Sequence, residues 1–159
     1  MARVLVTGMS GTGKSTVLAR LAERGHRVVD TDRGDWIVEL PGGAGSERQW
    51  RAASMDALLA EHERSGEPLV VAGCVCNQGE FRDRFDEVVL LSAPVVVLLD
   101  RVVRRTDNPF GATEADRARI VADTAEVEPL LRRTATLEID ATRPLAEVVD
   151  LVAARLAPG

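Results

Sequence analysis

The chain has 159 residues, 45% of them apolar and 28% charged, with a formal net charge of −5; this is the length and make-up of one folded domain with a sizeable core, not of a disordered chain. Aromatic residues amount to 3% and Tyr is absent, so the core must be built from Val, Leu, Ile and Ala, and aromatic platforms for single-stranded nucleic acid are lacking. The arginines are scattered rather than striped, which argues against a duplex-binding face, and no apolar run reaches the ~20 residues of a membrane span.

In chain order, Arg3–Thr7 is a short β-branched run ending at Gly8 and reads as a buried strand. Lys14–Arg24 places Val17, Leu18 and Leu21 at helical spacing, with Gly25 as C-cap. Arg27–Asp30 is a second short strand ending in acids, followed by Pro/Gly punctuation from Gly34 to Ser46 around a short element at Trp36–Leu40. Ser46–Glu63 reads as a helix with Ser46 as N-cap and Trp50, Ala53, Ala57 and Leu58 on one face. Pro68–Gly73 and Glu87–Leu91 are the third and fourth strands, with the short polar stretch Phe81–Phe85 between them, and Pro94–Arg105 is a helix. After a break at Asn108–Gly111, Thr113–Arg133 forms a long helix with an N-cap box at Thr113–Asp116, then Thr136–Asp140 the last strand and Leu145–Leu156 the last helix. Alternation of strand and helix predicts α/β architecture: a three-layer α/β/α sandwich around a five-stranded parallel sheet.

Between the first strand and helix lies Gly8-Met9-Ser10-Gly11-Thr12-Gly13-Lys14-Ser15, the Walker A spacing GxxxxGK[ST] in its required setting. Glycines allow the backbone N–H groups to curl around a β-phosphate. Lys14, the sole Lys of the chain, supplies a point charge for β/γ oxygens, Ser15 a hydroxyl for Mg²⁺, and the helix its positive end. The predicted fold is therefore that of a P-loop NTPase, with ATP and Mg²⁺ as cofactors.

The third strand ends Ala72-Gly73-Cys74, without the acid that normally helps hold Mg²⁺. Acid stands instead after the second strand, at Asp30-Thr31-Asp32, whose end faces the same sheet edge. Two carboxylates two residues apart can divide the labour: one holding Mg²⁺ through water, the other orienting or deprotonating a substrate hydroxyl. Cys74 and Cys76, two apart, would share one face of a strand. They are poorly spaced for a disulfide and too few for a structural zinc site. Buried, reduced thiols in a cytoplasmic protein are expected, and an N-terminus that enters a strand with no leader agrees.

The MSGTGKST loop, the DTD after the second strand and the element order resemble the small P-loop kinases of the shikimate kinase, gluconate kinase and nucleoside-monophosphate kinase group along nearly the whole chain, the first two best. The resemblance implies one kinase domain over 1–159, with a substrate-binding segment about 32–66 and a short lid about 104–115. It implies ATP-dependent transfer of the γ-phosphoryl group to a small-molecule hydroxyl, with nucleoside or nucleotide kinase, or a regulatory ATPase module, as alternatives. Gly8, Ser10, Gly11, Thr12, Gly13, Lys14, Ser15 and Thr16 would hold the nucleotide, with Ser15 and Asp30 on the metal and Asp32 on the acceptor hydroxyl. Arg51, Gly73, Cys74, Asn77 and Gln78 would line the acceptor site. Arg101 would pack on adenine, Arg105 would meet the transferring phosphoryl beside Lys14, and Arg143 and Pro144 would lie in the loop that wraps the base. Such an enzyme is expected to be a monomer, or a dimer, with a small molecule as its partner. One departure bears on the substrate: the carboxylate-binding Arg of shikimate kinases is here Val127, flanked by Glu126 and Glu128. A neutral or cationic polyol is therefore expected rather than an anion, unless Arg51, Arg82 or Arg84 substitutes.

Overall fold

The computed structural model describes residues 3–9, 11–42, 45–104 and 113–156. Its strands are β1 (Arg3–Thr7), β2 (Val28–Asp30), β3 (Ile37–Gly42), β4 (Gly45–Trp50), β5 (Leu69–Ala72), β6 (Glu87–Ser92) and β7 (Leu137–Asp140). The helices are α1 (Lys14–Glu23), α2 (Ala52–Ser65), α3 (Val95–Arg104), α4 (Glu114–Thr134) and α5 (Leu145–Leu156), with a 3₁₀ helix at Gln78–Arg84. Five strands pair in parallel in the order β2-β5-β1-β6-β7. The order reverses at β1, between β5 and β6, and such a switch point opens a crevice beyond the carboxyl ends of the strands. The loop after β1, the acids after β2 and the turn after β5 all meet there.

Alternation along each strand divides the core. Val4 and Val6 of β1 face the layer of α1 and α5, where Leu18, Leu21, Val149 and Val152 are buried. Leu5 faces the other way, onto Trp50, Met55 and Leu59. Each such fully buried aliphatic side chain contributes about 1.5–3 kcal/mol. Thr113 caps α4 as its spacing predicts, accepting a hydrogen bond from the Asp116 N–H at 3.1 Å.

One element departs from expectation. The stretch Gly45–Trp50 is not the start of a helix but the second strand of an antiparallel hairpin with β3, separate from the main sheet, and α2 begins only at Ala52 with Arg51 as its N-cap. Tertiary contacts override a modest local propensity here. Trp50 is 2% exposed and meets Phe81 edge to face, with ring centroids 5.7 Å apart. Its extended backbone finds partners across the crevice: the Asn77 amide accepts from Trp50 N–H at 2.9 Å and donates to Trp50 C=O at 3.1 Å. Cys76 N–H donates to Arg48 C=O at 2.9 Å. The cysteines likewise lie in the loop after β5 rather than on a strand; Cys76 is exposed and Cys74 half-buried, so the expected pair of buried thiols holds for neither fully.

Candidate active site

The loop from β1 to α1 is shaped before any side chain acts. Gly11 lies at φ +90°, and a Cβ there would stand 2.9 Å from the Leu98 carbonyl, so only glycine lets α3 cross the loop this closely. Thr12 is buried and donates through Oγ1 to Met9 C=O at 2.9 Å. Lys14 Nζ arches over the loop and donates to Gly8 C=O at 2.6 Å and Met9 C=O at 3.1 Å, which sets the ammonium at the concave side. Gly13 is the N-cap of α1, and Thr16 is exposed on the first turn of that helix. Ser10 lies outside the described residues.

The DTD segment splits by direction. Asp30 Oδ2 accepts from Ser15 Oγ at 2.6 Å, and its Oδ1 accepts the Asp32 N–H at 3.1 Å. Thr31 is fully buried and turns into the body, where Oγ1 donates to Ala72 C=O at 2.7 Å and accepts from the Trp50 indole N–H at 3.0 Å. Asp32 is exposed, and its Oδ1 accepts from Arg48 of the hairpin at 3.3 Å. Arg51, half-exposed, is bonded to Asp35 at 3.1 Å.

Beyond β5 the expected acceptor residues separate into two kinds. Cys74 packs against the Met9, Leu90, Leu98 and Leu131 cluster, and burial pushes its thiol up, opposed by the Lys14 ammonium and a hydrogen bond to Thr7, with the Asp32 charge adding to the rise. That thiol stays neutral at pH 7. Asn77 and Gln78 are both engaged within the protein. Asn77 is committed to Trp50, while Gln78 accepts from Val75 N–H at 2.9 Å and donates to Thr7 Oγ1 at 3.1 Å, pinning the turn to the end of β1. Gly73 is buried where a Cβ would stand 2.4 Å from Thr31 Oγ1, so its smallness seats Trp50 and Thr31. Thr31, Trp50 and Arg48 are the site residues that sequence reasoning did not single out for these roles. The middle residue of DTD carries no signal of its own, and residues 46–50 of the hairpin's second strand fall in the stretch whose pattern predicts a helix.

Arg51, Arg82 and Arg84, the possible anion-binding substitutes, divide together with Arg48 between the two ends of the strands. Arg48 and Arg51 stand at the acids of the crevice, each beside a carboxylate. Arg84 binds Asp56 at 2.6 Å and Glu63 at 3.0 Å, and Arg82 donates to the Thr134 carbonyl at 3.0 Å, both toward the amino ends of the strands. Val127 packs with the Met9, Leu90, Leu98 and Leu131 cluster, to which Cys74 also belongs. The Glu128 carboxylate is engaged by Arg132 at 2.9 Å.

On the nucleotide side, Arg101 donates to Gly11 C=O at 3.3 Å and Ala141 C=O at 2.6 Å. Asp140 shapes the loop after β7 by accepting from Thr142 N–H at 2.8 Å and Oγ1 at 2.6 Å. Those bonds, with Arg143 and Arg101 as cationic neighbours, hold its carboxyl below the usual range. Pro144 leads into α5, its carbonyl accepting from Glu147 N–H at 3.0 Å and Val148 N–H at 3.2 Å. Arg104 pairs with Asp100 at 3.0 Å. Arg105 and most of the expected lid lie outside the described residues. No described helix is long and apolar enough to cross a membrane, and no group of three or more potential metal-ligating side chains occurs among the described residues.

A strand–loop–helix phosphate cradle, a serine–aspartate oxygen pair beside it and a further exposed acid define a P-loop kinase. Comparison with known proteins makes the family specific. The AAA domain family model matches residues 4–122. The shikimate kinase of Halorhodospira halophila is 31% identical over 153 residues, covering 88% of this chain and 84% of its own. Shikimate kinase from Bacteroides thetaiotaomicron superposes with a TM-score of 0.64 at 19% identity, over 96% of this chain and 97% of that one. A gluconokinase from Sinorhizobium meliloti gives 0.54 at 24% identity, over 98% and 91%. The chain belongs to the AAA domain family and to the shikimate kinase family of small P-loop kinases. It is an ATP-dependent phosphotransferase that acts on a hydroxyl of a small molecule.

Proposed function

We propose that the acceptor is a neutral or cationic polyol-like molecule, bound between the phosphate loop and the end of β2, with Mg²⁺ held by Ser15 and Asp30. The observation that carries the reading is the 2.6 Å Ser15–Asp30 bond with Asp32 two residues further on. Two protein oxygens are a suitable donor set for Mg²⁺, which takes its remaining ligands from water and phosphate. When bound, the ion supplies charge neutralisation on the phosphates.

The chain's own residues do the rest by position. Lys14 stabilises charge on the transferring group from the concave side of the loop. Asp32 accepts the hydroxyl proton of the acceptor or orients that hydroxyl, and Arg48 beside it fixes which way the carboxylate points. Arg105 serves the transferring phosphoryl from the lid about 104–115, and the segment about 32–66 receives the acceptor. Arg143 and Pro144 contribute to the base site. Catalysis is then chiefly alignment and fixed charge rather than covalent chemistry.

Charge supports a polyol over an anion. Arg48 and Arg51 are each beside an acid, Asp32 and Asp35, and Val127 presents an aliphatic side chain. A coupled assay of ADP release over a metabolite panel, at fixed ATP and Mg²⁺, tests the reading. Turnover of polyols above that of carboxylates supports it, and turnover only with nucleoside monophosphates overturns it.

A further inference from the structure

Arg101 stands on α3, the helix that crosses the phosphate loop at Gly11, and among the described residues its half-buried guanidinium is hydrogen-bonded to backbone carbonyls. Nη1 donates to the carbonyls of Gly11 at 3.3 Å and Thr12 at 3.5 Å, and Nη2 donates to the carbonyl of Ala141 at 2.6 Å. The first two belong to the phosphate cradle. The third opens the loop Ala141-Thr142-Arg143-Pro144 after β7.

What these bonds do follows from peptide geometry. A trans peptide holds its C=O and the next N–H in one plane, pointing opposite ways, and every described peptide here is trans. The Gly11–Thr12 peptide is gripped at both ends, its carbonyl by Arg101 and its N–H by Met9 C=O at 3.3 Å. The Thr12–Gly13 peptide has its carbonyl drawn toward Arg101 at 3.5 Å, which turns the Gly13 N–H to the opposite side. One guanidinium thus sets the orientation of two successive peptides of an anion-binding loop. Its positive charge also lies behind the loop, where it adds to the potential felt by phosphate. The Ala141 bond extends the same grip to the neighbouring loop.

We propose that Arg101 is a positioning residue for the triphosphate. It aligns the phosphate loop through its carbonyls and fixes the spacing between that loop and the Ala141–Pro144 loop. The consequence is specific: the side chain serves the phosphate chain of the nucleotide whatever base is attached. This deepens the nucleotide reading of the phosphate loop and rests on it.

The test is calorimetric titration of ATP, and separately of inorganic tripolyphosphate, each with Mg²⁺, into wild-type protein, R101A and R101K. Loss of the bonds in R101A should weaken both ligands about tenfold or more, the scale of one charge-assisted hydrogen bond. R101K, whose ammonium can still donate to a carbonyl, should recover part of the loss for both. In turnover, KM for ATP should rise while KM for the acceptor stays unchanged, a split that a general loss of stability would not produce. Weakening of ATP with tripolyphosphate unchanged would assign the guanidinium to the base and overturn the proposal, as would no change in either. Far-UV circular dichroism establishes that each variant is folded. If R101A is not, R101K decides: a parallel loss for both ligands supports the proposal, and a loss confined to ATP, or none, ends it. A wild-type protein that binds neither ligand would remove the nucleotide reading itself, and the proposal with it.

Discussion

Ser15 Oγ donates to Asp30 Oδ2 at 2.6 Å, joining the first turn of α1 to the end of β2 across the crevice. No acid directly follows β5, and under the proposed function this pair is what would hold Mg²⁺. Asp30→Asn should lower Mg²⁺-dependent turnover about tenfold or more, the scale of a lost interaction with a charged group. ATP binding without metal should change little. Titration of turnover against Mg²⁺ checks this, and wild-type behaviour at limiting Mg²⁺ would dismiss the assignment.

Lys14 is the sole ammonium side chain available to the transferring phosphoryl group. Lys14→Ala should leave a folded protein with ATP affinity or turnover reduced by roughly 10- to 150-fold, since charge-assisted bonds contribute about 1.5–3 kcal/mol. The substitution also removes two bonds to the loop carbonyls, so circular dichroism belongs beside the titration. An unchanged ATP titration in a folded variant would contradict the nucleotide site.

Asn77 is a clasp between hairpin and sheet. Its amide makes two neutral bonds to the backbone of Trp50, each worth about 0.5–1.5 kcal/mol net. Asn77→Ala should lower stability by roughly 1–3 kcal/mol in chemical denaturation. Because Arg48 rides on the same hairpin, acceptor KM should rise while ATP KM holds. Equal effects on both would make Asn77 a purely structural residue.

The two thiols should differ in reactivity. Cys76 is exposed, whereas burial pushes the Cys74 thiol up and leaves it protonated at neutral pH. A maleimide should modify one site quickly and the second slowly, with the slow rate rising at alkaline pH. Peptide mapping of the fast adduct to Cys74 would contradict the geometry.

How far this could be read from the chain depends on the range of the interactions. The phosphate loop and the five parallel strands are encoded locally, by glycine spacing and β-branched runs, and the structure places Arg3–Thr7, Val28–Asp30 and Leu69–Ala72 where those runs lie. The hairpin is not local. Ser46–Trp50 becomes extended because Thr31, Asn77, Phe81 and Cys76, all remote in sequence, receive Trp50 and Arg48. The same non-local logic gives Asn77, Gln78 and Gly73 fastening contacts that their sequence neighbourhood does not announce. Only the contact partners distinguish an amide aimed at a ligand from one closing a loop.

The acceptor is where sequence and fold leave the sharpest wager. Shikimate kinases of the resembling group hold a carboxylate with an Arg in the long helix after the lid, and this chain has Val127 there, packed against an apolar cluster. Arg82 and Arg84 cannot replace it, because they bind Thr134 and the Asp56–Glu63 pair at the far edge. Arg48 and Arg51 remain at the crevice, but Asp32 and Asp35 already balance them. An anionic acceptor would then lack a charge-assisted bond of about 1.5–3 kcal/mol, roughly 10- to 150-fold in affinity. A panel of shikimate, gluconate, nucleosides, nucleoside monophosphates and aminoglycoside-like alcohols should therefore rank neutral and cationic alcohols first in kcat/KM. Arg48→Gln supplies the control: it should weaken turnover of the preferred alcohol through Asp32 without rescuing or abolishing selectivity against anions. Efficient phosphorylation of shikimate at low concentration, lost in Arg48→Gln, would show instead that Arg48 leaves Asp32 to bind the carboxylate, and the polyol reading would fall while the kinase assignment stood.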